Sequence, residues 1–266
     1  MLSSLLPGLR SLRVALISGA LIVGSLYLTF GGDGIGTLKV RKPAQDILAL
    51  NPHMPELLAA LLCLLVGSLY ATGLEGVVDW IHRRMAPVDL STLRPLKRVL
   101  LRPFAPLSTA ARNRIVLEAA RFYDEYFPQS RQAPDDHDRN EFIQKTIAEI
   151  LWLKGKLSGT ALAAPYDEAR SEGHLQLAIA LLLPPSTAAL AYAVRMNTLG
   201  LVIATVGMTA LAIKLADYGL YYFRAAHSFL AHHVADGVLL APSMETMRRM
   251  REPVKQRKVT NRGRTK

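Results

Sequence analysis

Cysteine is almost missing from this 266-residue chain, which has one, Cys63. A lone thiol excludes an intramolecular disulfide framework and any zinc or iron–sulfur centre built on cysteines. Acidic residues are scarce as well, 21 Asp+Glu against 32 Lys+Arg, leaving a formal net charge of +11. The sequence contains no G-x-S-x-G, H-E-x-x-H, G-x-x-x-x-G-K-[ST] or G-x-G-x-x-G. No Ser/His/Asp or Cys/His set falls on one local scaffold either, so no catalytic residue and no cofactor are assigned and the expectation is a protein that is not an enzyme. Asp124 and Glu125, beside Tyr123 and Tyr126, read as a solvated helix end. Alternating strand patterns and Asn-Gly hairpin turns are lacking too, which points to an all-α fold.

What the chain has instead is apolar sequence, half of all residues, gathered into long uncharged runs, with a mean hydropathy of +0.20. Crossing about 30 Å of hydrocarbon at 1.5 Å per residue takes about 20 apolar residues. Four runs qualify, at about 14–30, 57–74, 175–194 and 198–213. The last is short, but Lys214 can snorkel to the interface while Leu215 and Ala216 prolong the apolar stretch. The first run is read as an anchor: it is long for a signal core, and Thr29-Phe30-Gly31-Gly32 offers no A-x-A cleavage pattern.

Positive charge sets the orientation, because basic flanks resist translocation. The N-terminus, the segment 75–174 and the sequence from Lys214 hold 28 of the 32 Lys+Arg, whereas the 31–56 connection has Lys39, Arg41 and Lys42 and the short link 195–197 has only Arg195. The expected architecture is therefore an all-α polytopic membrane protein with four transmembrane helices and a helical cytosolic domain inserted between the second and third. Its parts are an N-terminal transmembrane hairpin (1–74), the cytosolic domain (75–174), a C-terminal hairpin (175–213), a cytosolic helical extension (214–247) and a basic disordered tail (248–266), with both termini cytoplasmic. The order of spans, with Tyr166, Asp167, Arg170 and Glu172 before the third, resembles small four-span proteins of high-GC bacteria, a likeness of layout that implies a bacterial inner membrane and carries no activity or site residue.

Within 75–174 the patterns are helical. Ser108 is placed to cap a helix whose apolar stripe is Ile115, Ala119, Phe122 and Tyr126, closed by Pro128. Asp138 and Glu141 have capping-box spacing, and Ile143, Ile147, Ile150 and Leu157 mark the buried side of a second helix ending near Gly159. These two helices pack on each other or against cytosolic extensions of the spans, which run to Arg84 before Pro87, from Pro165 into the third span, and through Tyr218 to Ala235 beyond the fourth.

Several groups are candidates for function. Arg94, Lys97, Arg98 and Arg102 fall at 0, 3, 4 and 8, one basic helical face suited to anionic lipid or to a phosphate-bearing ligand such as a nucleotide. Nine Lys+Arg among the last 19 residues suggest a tether to the inner leaflet; with no aromatic residue interleaved, nucleic acid is not the expected partner. Asp135, Asp136, His137, Asp138 and Glu141 lack the ligand spacing of a calcium loop, and His227, His232 and His233 do not share a helical face, so no metal is assigned. Ala59, Cys63, Gly67 and Ala71 form an i+4 row of small residues for close helix packing, and Ala20 with Gly24 a shorter one. Pro184 and Pro185 interrupt the third span at its middle, with Ser186 and Thr187 beside them to accept a bend or a gate. Any pore would be lined by Ser186, Thr187, Asn197, Thr205 and Thr209. The functional expectation is a cytosolic helical domain that senses or binds a ligand or a partner and controls membrane helix packing, as an oligomeric pore-forming or membrane-perturbing effector; alternatively, a non-catalytic scaffold that recruits a cytosolic protein through the domain and the basic tail.

Overall fold

In a computed structural model the described residues are 2–30, 54–88, 92–126, 136–157, 160–194 and 196–249. They are predominantly helical, with no strand among them. The connection carrying Lys39, Arg41 and Lys42, the residue Arg195, the Asp135 end of the acidic patch and the tail from 250 onward lie outside the described residues.

The helices are α1 (Leu2–Phe30), α2 (Met54–Met85), α3 (Pro95–Leu101), α4 (Thr109–Tyr126), α5 (Asp136–Ile150), α6 (Lys154–Leu157), α7 (Ala163–Ala193), α8 (Thr198–Ala235) and a last helix, α9, over 242–249. Four of them, α1, α2, α7 and α8, are long and apolar enough to cross a membrane. The chain divides into two compact units, one of residues 1–79 with 167–222, the other of residues 80–166 with 223–266. Helices α2, α7 and α8 contribute residues to both.

The first unit is held by close backbone approach and a few polar contacts. A Cβ placed on Gly19 would overlap the Cys63 carbonyl, and one on Gly67 the Ala15 carbonyl, so α1 and α2 cross where neither has a side chain. At that crossing Ser18 Oγ donates to Val14 O at 2.7 Å and approaches Gly67 O at 3.4 Å. Where α7 meets α8, a Cβ on Gly219 would stand 3.0 Å from the Gly173 carbonyl oxygen. The outward faces are apolar: Leu58, Leu61, Leu62, Leu65 and Leu69 on α2 and Leu199, Val202, Ile203, Val206 and Ile213 on α8 are all exposed. In water so much exposed leucine and valine is unfavourable, whereas acyl chains leave it unpenalised.

The second unit has an aliphatic and aromatic core. Its α4 buries Ala111, Ile115, Ala119 and Tyr123, and its α5 buries Phe142, Ile143, Thr146, Ile147 and Ile150. The two pack on each other, with Tyr123 and Phe142 rings 5.5 Å apart and Arg139 bonded to Asp124 at 2.8 Å. Ser108 Oγ accepts the Ala111 amide at the start of α4, the cap its position predicts. The stripe on α4 is rotated from the one expected, since Phe122 and Tyr126 lie half-buried and stacked on each other at 4.3 Å while Tyr123 turns inward. The second helix begins two residues before Asp138 and stops at Ile150; Leu153 and Leu157 stay buried through a turn and the short α6.

The sequence after α8 is not one helix. Gly237 has a φ of 70°, its amide reaches the Val234 carbonyl at 3.0 Å, and Val238 reaches back to His233 at 3.0 Å, a glycine-terminated helix end. The following α9 returns against α5 and α6: Ser243 N donates to Glu149 Oε2 at 2.7 Å, Thr146 and Ser243 hydroxyls bond at 3.0 Å, and Met244 is buried.

Candidate functional site

Glu75 and Asp79 are one turn apart on α2, the i,i+4 spacing that places both carboxylates on one face. Opposite them stands Arg170 of α7. Its Nη2 donates to Glu75 Oε1 at 2.6 Å and to both oxygens of Asp79 at 2.9 Å, with the arginine side chain 6% exposed and the acidic side chains about a third exposed. In the same unit Arg13 of α1 lies 3.4 Å from Glu172 of α7. These two ion-paired sets, drawn from three helices, adjoin the ends of the apolar runs in sequence. Arginine does not release its proton in proteins, so this set cannot relay one through Arg170; it clasps α2 to α7.

In the sequence Arg170 stands out only within the stretch Tyr166, Asp167, Arg170 and Glu172, and Asp79 does not stand out at all. A signal was there. Glu75 directly follows one apolar run and Arg170 precedes another by five residues, so the two lie at similar depth when both helices cross the bilayer.

The second unit holds a buried ring cluster. His82 of α2, Phe223 and His227 of α8 and Tyr166 of α7 are each at most 2% exposed. The imidazoles stand edge to face with centroids 5.2 Å apart, Phe223 lies 5.8 Å from His82, and Tyr166 lies 6.2 Å from His227. His232 and His233 are separate from it, each turning Nδ1 to the carbonyl four residues back, at 2.6 and 2.9 Å. Among the described residues no group of three or more His, Cys, Asp or Glu is disposed to hold a metal.

The basic segment is split. Only Pro95–Leu101 is α-helical; Arg94 precedes it, and Arg102 opens a 3-10 turn, Arg102–Phe104, because Pro103 cannot continue the bonding of α3. Arg94, Lys97 and Arg102 are exposed, but they do not occupy a single helical face; of Arg98 only the backbone is described. The segment is fixed from behind by Arg224 of α8, whose guanidinium donates to the carbonyls of Arg102 (2.7 Å), Pro103 (2.9 Å) and Ala105 (3.3 Å). Arg112 likewise holds the end of the α2 connection through Ala86 O and Val88 O, both at 3.1 Å.

Of the small-residue row on α2, Cys63 and Gly67 meet α1, while Ala59 is exposed and Ala71 half-buried. Their partners on α1 are Ala15, Ser18 and Gly19; a Cβ on Gly24 would meet open space. Pro184 and Pro185 lie inside an otherwise continuous α7. Next to them Ser186 Oγ accepts from Ser25 Oγ at 2.8 Å, linking α7 to α1, and Thr187 Oγ1 donates to Leu183 O at 2.8 Å. Asn197 caps α8 by accepting the Gly200 amide at 2.8 Å, and Thr209 bonds its own helix at Thr205 O, 2.7 Å.

Comparisons with protein families, with curated proteins and with solved structures find no match to this chain. Geometry alone therefore bears on its role.

Proposed function

We propose that this is a bacterial inner-membrane protein, both termini cytoplasmic, in which a cytosolic helical domain binds a ligand or protein partner and through it alters the packing of the membrane helices, most concretely as an oligomeric pore-forming or membrane-perturbing effector without enzymatic activity. The observation that carries this reading is the continuity of α2, α7 and α8, each unbroken from an apolar run into residues of the second unit's core, His82, Tyr166, Phe223 and His227 among them. In this proposal a partner bound to the second unit acts on the spans through these shared helices.

The spans carry few polar groups for a conduit, and the hydroxyls of Ser25, Ser186, Thr187 and Thr209 are engaged with one another or with backbone. Conduction in this proposal therefore requires several copies and a rearrangement around Pro184 and Pro185. Purified protein in dye-loaded liposomes tests it: release of dye or a step conductance, altered by Pro184→Ala, is the expected result. Vesicles that stay tight with nucleotides, inorganic phosphate and anionic lipid each supplied overturn it. The scaffold reading is favoured by Leu117, Trp152 and Val238, large apolar side chains that the second unit leaves exposed; a stoichiometric partner lost on Leu117→Glu, with tight vesicles, would establish it instead.

A further inference from the structure

Leu96 and Val99 of α3 are exposed at 74% and 69%. Three residues apart, they share one face of the helix. Around them Arg94, Lys97 and Arg102 are exposed too, and residues 90–117 contain no Asp or Glu. Arg224 fixes the carbonyls at the end of the segment, and the residues just beyond, Ala105 and Leu107, turn into the core.

The occupant of such a surface has to accept apolar side chains and several cations together. A free nucleotide would need a cradle of backbone amides, and α3 presents none; a single-stranded nucleic acid would need aromatic side chains for stacking, and Pro95–Leu101 has none. An anionic bilayer surface satisfies both demands. It is also close in sequence to a candidate span, since α3 starts ten residues after Met85, the end of a helix apolar enough to cross the membrane.

We propose that α3 lies in the headgroup layer of an anionic leaflet, with Leu96 and Val99 at the acyl boundary and Arg94, Lys97 and Arg102 paired with lipid phosphates. This depends on insertion of the spans and not on conduction, so it stands or falls separately from a pore. The test uses full-length protein with Cys63→Ser and Leu96→Cys, the new thiol carrying an environment-sensitive fluorophore, reconstituted in vesicles of phosphatidylcholine with or without phosphatidylglycerol. With phosphatidylglycerol the label is expected to shift to the blue, to be quenched by nitroxide-bearing lipid and to be shielded from acrylamide. Each of Arg94→Gln, Lys97→Gln and Arg102→Gln is expected to lower the bilayer-bound fraction relative to free by about fivefold, the equivalent of one lipid-attracted charge. A label open to acrylamide in both vesicles overturns the proposal. So does one shielded from acrylamide but untouched by lipid nitroxide, which means a protein covers it, and so does lipid quenching that is equal in both vesicles and unmoved by the glutamine variants.

Discussion

An added methyl group at Gly67 runs into the Ala15 carbonyl and one at Gly19 into that of Cys63, whereas at Gly24 it meets open space. Gly67→Ala is therefore expected to cost about 1–3 kcal/mol through overpacking, and Gly24→Ala to cost nothing or to stabilise slightly. Cys63, the chain's one thiol, lies at that crossing, so the rise in fluorescence of a thiol-reactive dye on heating in detergent reads both variants. Arg170 is the other residue on which much rests. Arg170→Ala leaves Glu75 and Asp79 facing each other across a part-buried site, and because those carboxylates are about a third exposed the expected loss is about 2–3 kcal/mol, below the 3–5 kcal/mol of a fully buried pair. Arg170→Lys keeps the charge but not the fork, and falls between. An unfolding temperature for Arg170→Ala equal to that of the parent protein would remove the clasp from the account.

Single helices were legible in the sequence to the extent that their signals were local. Uncharged runs gave the four long helices, Ser108 gave the start of α4, and Ile143, Ile147 and Ile150 gave the buried side of α5. Signals that depend on a distant partner were not legible. Tyr123 turns inward instead of Phe122 because Phe142 stands opposite it, and the Ala15–Gly19 face was chosen over Ala20–Gly24 by where α2 crosses. The break at Gly237 had a local mark, Asp-Gly, but α9 is held by Glu149 and Lys156, about 90 residues away in sequence. Gly237→Ala, which forces a Cβ into the left-handed region, is expected to destabilise by about 1 kcal/mol and to raise amide exchange at the end of α8. Glu245 supplies a pH dependence for α9. Hydrogen bonds from Lys156 and Arg249 hold its carboxyl below the ordinary value of 4.5. Since folding lowers this pKa, its contribution is complete above about pH 4.5 and fades as pH falls through the folded-state value. Protection of the 242–249 amides should accordingly drop on acidification more in the parent protein than in Glu245→Gln; equal drops would show that the ion pairs do not hold α9.

At the scale of the molecule, the helical content and the four candidate spans follow from composition and run length. Lys+Arg asymmetry predicts that protease added to intact cells leaves 75–174 uncut and that inverted vesicles expose it; cleavage from outside reverses the proposed topology. One detail of α7 bears on how the whole behaves in membranes of unequal thickness. Pro184 and Pro185 have no amide hydrogens, so Ala180 and Leu181 keep carbonyl oxygens that the helix itself cannot satisfy. Near one end α7 is tied by Arg170, and just past the prolines by Ser186. Between those ties the rod has its weakest rung, and a thinner or thicker bilayer would be accommodated there by a change of tilt, with the ends left where they are.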